Sequence, residues 1–558
     1  MFKVPKSKKL LYLGVVSERA AEQYGDTPIT LDHALDAFPE AGRKLTVAEF
    51  AGHVADTADR LWAAGVRPSE HVAVHKTSGF DITVLACGAA RIGAIPVMLS
   101  PHLDGESIGR LLERLERPTL LTDEAKLTGP LAGLALDELT TRVVTVTGTR
   151  PGAIAFADLA GAARREPVLL GPDQPALMTH TSGTTGIPKL VVHSARSLGA
   201  RGNWQEKVVS FIRKRETVLM HVSYVHSRMY LGLAVLQSRG MPMVFLNDGS
   251  PAHVADMLVR HRPGVLETHP NSFLEWEEML DDPRRPIANV KYFNSTFDAI
   301  HPSTMHKFLH ASGRRSPVFL QVYGQSECGP LAARTYRRRN ALKADGRCQG
   351  YPTPGMTKYR LVPRSGAKPS KENPGYIDVS TAGRALTYYG EQERFDRQVL
   401  GEWWRGGDVG YRTRWGCLHL LDREVDVIAG IGSTLEVEDA VLHRLDELTE
   451  LVVVPGPDKR PVPVVCTRGD VPLDMERWKA AVAGQPTLGT PVQRRLADLP
   501  RTATAKIRRL ELARQLAESA ATGQDEPAAQ TVGGGQAVGG GEAGEGAGLV
   551  REGSGAAR

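Results

Sequence analysis

Apolar side chains at Phe50, Val54, Ala58 and Leu61 recur at the spacing of a helix with one buried face. Thr46 precedes them with Glu49 three residues on, a capping-box pair, and Gly65 ends the run. His71 to His75 is short and apolar-rich and reads as a strand. A second helix carries Val84, Leu85 and Ala89; after Gly93 comes another strand, Ala94 to Leu99. Strand, helix and strand within about 30 residues is the βαβ unit of a parallel sheet. Strand patterns return at Val218–Val222, Pro242–Leu246, Val265–Thr268, Val290–Asn294 and Val318–Tyr323. The fold class is therefore α/β, with a large multi-sheet N-terminal domain.

The pattern shifts near Asp422. A helix from about Val437 to Arg444, strands at Leu451–Val454 and Val462–Thr467, and a basic helix after Lys506 outline a small α+β unit. Beyond Ala521 the chain turns to Gly, Ala, Glu and Gln, a composition that cannot bury a core. The expected organisation is a large domain over 1–421, a small mobile domain over 422–516 and a disordered tail over 517–558.

Composition narrows the class. Apolar residues are 41% of the 558, and no apolar run approaches the ~18–20 residues that span a bilayer. The apolar stretch Leu10–Val16 leads into Ser17-Glu18-Arg19 without a small-residue cleavage pattern, so no signal peptide, no membrane partner and a cytoplasmic location are expected. The net charge of +6 is spread thinly. The clusters Lys6-Ser7-Lys8-Lys9 and Arg337-Arg338-Arg339 read as solvated loops, and no nucleic-acid partner is expected. The five cysteines form no C-x-x-C pair, which predicts free thiols in a reducing compartment.

The chemistry concentrates in Thr181-Ser182-Gly183-Thr184-Thr185-Gly186-Ile187-Pro188-Lys189. Glycines let the backbone turn tightly, hydroxyls and N–H groups can wrap an anion, and Lys189 adds positive charge. A Walker A loop would need Lys-Ser or Lys-Thr directly after its second glycine, which is not the pattern here.

This loop resembles the phosphate loop of the AMP-forming adenylating superfamily, which includes acyl- and aryl-CoA synthetases, peptide-synthetase adenylation domains and firefly luciferase. Four further stretches resemble the family in order: Tyr323-Gly324-Gln325-Ser326-Glu327, Gly407-Asp408 with Gly410, Asp422-Arg423 through Gly432, and Pro500-Arg501-Thr502-Ala503-Thr504-Ala505-Lys506. The resemblance implies a cleft that binds ATP and Mg²⁺. Thr181, Ser182, Gly183, Thr184, Thr185 and Lys189 would hold the β- and γ-phosphates, and Glu327 the metal. Tyr323 would stack on adenine, with Ser326 beside it. Asp408 would accept the ribose hydroxyls and Arg423 would bond the ribose from the other side. Lys506 would reach from the small domain to the α-phosphate, and His226 would flank the reacting acid.

Four departures bear on the substrate. Phe297 stands where the family commonly has glycine, in Ser295-Thr296-Phe297-Asp298-Ala299-Ile300. Its ring either turns into the core or shortens the acid pocket, with Asp298 beside it. Arg228, two residues after His226, either snorkels to solvent or holds an anionic or polar substrate. Val425 occupies the family's hinge position, with Asp426 next. Thr434 replaces an arginine common near the thioester-forming face, and Asp439 replaces the following glutamate.

The expected function is an ATP-dependent, AMP-forming ligase that activates a small or polar acid as its adenylate and transfers it to a nucleophile. The acceptor is CoA or a carrier-protein thiol. The alternative is a diazotase that adenylates nitrite and passes it to an aryl amine. A nucleotide-binding relic is disfavoured by the intact loop, Glu327, Asp408 and Lys506. The chain is expected to be a monomer or a homodimer.

Overall fold

A computed structural model describes residues 9–522 except 182–186, 213, 297–299, 346, 365, 424–427, 429–430, 432, 457–459 and 502–506. The Gly-rich tail beyond 522 lies outside the described residues.

The capping box forms as expected: Thr46 and Glu49 bond reciprocally at the start of helix Val47–Ala63, a contribution of about 1 kcal/mol. The βαβ unit forms too. His71–Val74 and Ile95–Met98 pair in parallel, with helix Asp81–Arg91 between them in sequence. Leu10–Val16 does not stop as a short apolar stretch. It runs into helix Leu13–Tyr24, which buries Leu13, Val15 and Ala20.

The βαβ strands belong to an eight-stranded sheet that includes an antiparallel hairpin of Pro175–His180 and Leu190–Ser194 next to its edge strand Thr387–Tyr388. A second, 14-stranded sheet holds the remaining expected strands of the large domain. Val218–His221, Met243–Phe245, Val265–Thr268, Tyr292–Thr296 and Val318–Gln325 run parallel in it. The strand expected at Val290–Asn294 starts two residues later, because Pro286–Asn289 form a 3-10 turn that Val290 terminates.

After Val318–Gln325 this sheet changes character. Gly329–Tyr336 returns antiparallel to it, and Cys348–Pro352, Leu418–Arg423, Trp403–Arg412 and Gly375–Thr381 continue the antiparallel run. This half was not legible as strands, because glycines and charged residues interrupt its apolar periodicity.

Beyond Arg423, helix Thr434–Arg444 and strands Leu448–Pro455 and Pro461–Thr467 build a three-stranded sheet with Val492–Gln493. Three apolar clusters pack in this region: one around Trp478, one around Leu512, and one of Ile428, Ile431, Val437 and Val453. Ion pairs join it to the large sheets: Arg347 and Lys371 to Glu436 at 2.8 and 3.0 Å, and His301 to Asp439 at 3.5 Å. No helix among the described residues is long and apolar enough to cross a membrane.

One expectation is overturned. Cys348 and Cys417 are joined in a disulfide, and only Cys87, Cys328 and Cys466 are free. The residues lie 69 apart in sequence, but the pairing of Cys348–Pro352 with Leu418–Arg423 brings them side by side. Spacing alone does not carry that information. In denaturant without reductant, three thiols should react with a chromogenic thiol reagent, and five after reduction. Five before reduction would contradict the bond.

Candidate active site

The phosphate-loop sequence connects the two strands of the hairpin. The Thr181 N–H donates to the Lys189 carbonyl at 2.9 Å, closing the loop at its base. Ser182, Gly183, Thr184 and Thr185 lie outside the described residues. Strand Thr387–Tyr388 adds to the hairpin through Val191 and Val192. That pairing sets the Lys189 ammonium over the Tyr388 ring, 4.3 Å from its centre and 3.1 Å from its hydroxyl.

Tyr388 links this lysine to the expected metal ligand. Its hydroxyl donates to Glu327 Oε1 at 2.6 Å, and the Lys189 Nζ lies 3.8 Å from the same oxygen. Burial, then the Glu327 charge, pushes the Tyr388 pKa far above the usual phenol range, so it stays a donor. Burial also lowers the Lys189 pKa, although Glu327 acts in the other direction.

The turn bearing Glu327 is held from beneath by Arg201. This arginine is fully buried and donates to the carbonyls of Gly383 and Ser326 at 2.8 and 3.1 Å. Burial lowers its pKa to about 10. Gly329, at φ 74°, is required here twice over, since a Cβ would also sit 2.7 Å from the Arg201 side chain.

Asp408 collects a second set of groups. It is 2% exposed and accepts from the Tyr323 hydroxyl and from Gln325 Nε2, the latter at 2.6 Å. Arg423 Nε lies 3.7 Å from its other oxygen, and Trp404 Nε1 donates to the Gln325 amide oxygen at 3.2 Å. A Cβ on Gly406 would come within 2.2 Å of that amide, so glycine is needed for the approach. Tyr323 is buried with its hydroxyl on Asp408. The wall of the adjoining cavity is formed by Gly324, Gln325, Ser326 and Glu327.

That cavity holds about 910 Å³ and reaches from Lys189, Glu327, Gly407 and Arg423 to His226 and Arg228 and beyond. His226 caps helix Ser227–Gln237, its Nδ1 accepting the Arg228 N–H at 3.0 Å. The Arg228 guanidinium does not snorkel to solvent; it lines the cavity and is paired within the protein. It donates two hydrogen bonds to Glu267, at 2.5 and 2.6 Å, and one to Gln205 at 2.6 Å. Glu267 is a strand residue only 3% exposed, so its carboxylate needs a cation once removed from water. Gly232 leaves the room, since a Cβ there would meet Arg228 at 3.0 Å.

Phe297, Asp298 and Lys506 lie outside the described residues. Thr296 lines the cavity, and a bridge between Arg501 and Ile507 closes the base of the Lys506 segment. Sequence reading missed Tyr388, Gln325, Arg201, Gln205 and Glu267. Glu267 carried a signal, being an acidic residue inside the apolar strand Val265–Thr268. Arg201 and Tyr388 carried none, because their partners lie more than 50 residues away.

Arg228→Ala should lower stability by about 3 kcal/mol, because it strands the buried Glu267 carboxylate. Arg228→Ala combined with Glu267→Gln should recover most of that loss. Calorimetric melting of both variants checks this, and equal losses would show that the pair is not coupled.

The model of a family described as "AMP-binding enzyme" matches residues 17–389. Over 537 residues the chain is 45% identical to 3-amino-2-hydroxy-4-methoxybenzoate diazotase of Streptomyces cremeus, covering 92% of this chain and 97% of that one. It is 25% identical to 3-aminoavenalumate diazotase of a Streptomyces species, over 77% of each chain. The structure of an anthranilate CoA ligase in complex with anthranoyl-AMP superposes with a TM-score of 0.78 at 18% identity, covering 92% of this chain and 99% of that one. With the match extending from the first helix through the phosphate loop to Tyr388, the chain belongs to the AMP-binding enzyme family.

Proposed function

We propose that this AMP-forming enzyme is an ATP-dependent diazotase acting on an aryl amine that also bears a carboxylate. A nitrite oxygen attacks the α-phosphorus of ATP, pyrophosphate leaves, and the nitrite–AMP anhydride remains. The amine nitrogen then attacks the nitroso nitrogen, the N–O bond to AMP breaks and a proton leaves. The resulting N-nitroso amine takes up a proton and loses water to give the diazonium.

The observation that carries the reading is the 45% identity, over nearly the whole of both chains, to a diazotase of an aminobenzoate. Two features of this chain support it. The cavity presents a charge-paired Arg228 and Glu267 where an acyl chain would need apolar walls. Thr434, at the position where the family often has an arginine near the thioester-forming face, is fully buried and hydrogen-bonded to Asp422 at 2.6 and 3.0 Å. It offers no cation to CoA.

Glu327 suits Mg²⁺, a hard ion that takes one or two carboxylates together with substrate phosphates. When bound, the ion would neutralise charge on the phosphates. Lys189 and Tyr388 hold the Glu327 carboxylate in one orientation at the nucleotide end of the cavity. Lys506, on the 422–516 segment, is assigned to the α-phosphate, with that segment closing over the nucleotide.

Nitrite should support ATP–pyrophosphate exchange, and full turnover should require an amino-substituted aryl acid as well. Exchange with carboxylic acids but not with nitrite would sink the reading. Lys506→Ala should slow nitrite-dependent exchange by roughly 10²–10³-fold while ATP still binds, as expected when a donor to the transition state is lost. Tyr388→Phe should cost about 10–100-fold in the same assay, since Glu327 loses a hydrogen bond to a charged group. Wild-type rates in either variant would remove its assigned role.

A further inference from the structure

The cavity does not stop at Arg228 and Glu267. Along strand Tyr292–Thr296 its lining is Tyr292, Phe293, Asn294 and Thr296, and along Val318–Gln325 it is Val318, Leu320, Val322, Gly324 and Gln325. Of these, Tyr292, Asn294, Thr296, Val318, Leu320 and Val322 are alternate positions on one face of the sheet. Register places Val218, Val265, Tyr292 and Val318 in one row and pairs Thr296 with Val322 in another. The rows are about 13 Å apart at the usual strand rise. A sheet face covered by a helix would bury its aliphatic residues, yet Val318 and Leu320 are only half-buried. Open space lies against them.

The cavity lining includes solvent-exposed residues at both ends of the strands. At the C-terminal ends of the strands it is bordered by the nucleotide groups Glu327, Gly407 and Arg423. At the N-terminal ends it is bordered by Ser316, Thr335 and Arg337, all exposed, and by Phe211, which is 81% exposed. This rear rim is cationic. Lys291 and Arg337 line it, while the nearby Arg314 is neutralised by Glu216 at 2.6 Å.

We propose that the rear opening admits the acceptor, an aromatic amine bearing a carboxylate, while nucleotide fills the front. The acceptor travels amine first, with its ring against Val265 and Leu320. Its amine reaches Glu267, whose remaining lone pairs accept N–H, and its carboxylate trails toward Lys291 and Arg337. The adenylate can then form before the acceptor arrives, and the acceptor need not pass the nucleotide. The chemical identity of the acceptor rests on the diazotase reading; the route rests on the cavity.

The test is stopped-flow binding of 3-amino-2-hydroxybenzoate, followed by its fluorescence, to full-length enzyme preloaded with saturating α,β-methylene ATP. The preloaded wild type should associate within about twofold of the nucleotide-free rate. Val318→Trp, which narrows the rear passage, should slow association by about tenfold or more. Arg337→Glu, on the exposed rim, should slow it about threefold at low salt, an effect that fades as salt screens the rim. Preloaded nucleotide blocking association in the wild type would overturn the route. So would failure of the wild type to bind the aminobenzoate in either state, or Val318→Trp associating at the wild-type rate. If Val318→Trp does not fold, Arg337→Glu decides, and a wild-type rate at low salt overturns the route. Failure of the diazotase reading shows elsewhere, as missing nitrite-dependent exchange, and leaves these association rates readable.

Discussion

The buried guanidinium of Arg201 is the contact on which the site's geometry depends. It lies where the large sheet changes from parallel to antiparallel order, and it ties the carbonyl of Ser326 to that of Gly383. A register shift between Tyr323 and Gly324 marks the same place, where the strand leaves the parallel sheet and turns back. A turn of this kind exposes backbone carbonyls in a dry interior, and leaving them unpaired is costly. Arg201 satisfies two of them with one planar group. Because the turn is fixed there, the side chains that leave it are aimed: Gln325 toward Asp408, and Glu327 toward Tyr388 and Lys189.

These two networks give the front of the cavity its electrostatic character. Each acidic group already faces a donor and a cation: Glu327 has Tyr388 and Lys189, and Asp408 has Tyr323, Gln325 and Arg423. On the proposed function, such groups would not need to reorganise when a polyphosphate and a ribose arrive. They would exchange partners within a preset frame, which is the arrangement that favours a charged transition state over a charged ground state. The Lys189 ammonium is close to its carboxylate without being locked in a short ion pair, so it can turn toward phosphate.

The sequence made the parallel half of the fold legible, because Val218–His221, Val265–Thr268 and Val318–Gln325 are short segments that open on apolar, strand-favouring residues. It made the motifs legible because Gly407-Asp408 and Gly324-Gln325-Ser326-Glu327 are contiguous. What it hid was contact across distance. Tyr388 meets Glu327 across 61 residues, Arg201 meets Gly383 across 182, and Cys348 meets Cys417 across 69. No local period encodes those pairings; the order of strands does. Arg228 shows the same limit at short range, for its position beside the pocket was evident and its partner Glu267 was not.

The Arg228–Glu267 pair decides what the cavity can hold. A lone arginine there would draw in any carboxylate and fix it at one depth. Paired, the two groups carry no net charge yet keep their directions for hydrogen bonds. An aliphatic chain laid across the pair would strip its water and return nothing. That leaves polar groups unsatisfied at a cost of about 1–3 kcal/mol each. Each buried methylene returns only about 0.8 kcal/mol, so several would be needed to break even. An aromatic ring carrying an amine or a hydroxyl satisfies the pair directly and still rests its faces on Val265 and Leu320. On the proposed function, the same cavity volume would discriminate by hydrogen-bonding capacity more than by length, and that selection would favour amino-substituted aryl acids over fatty ones.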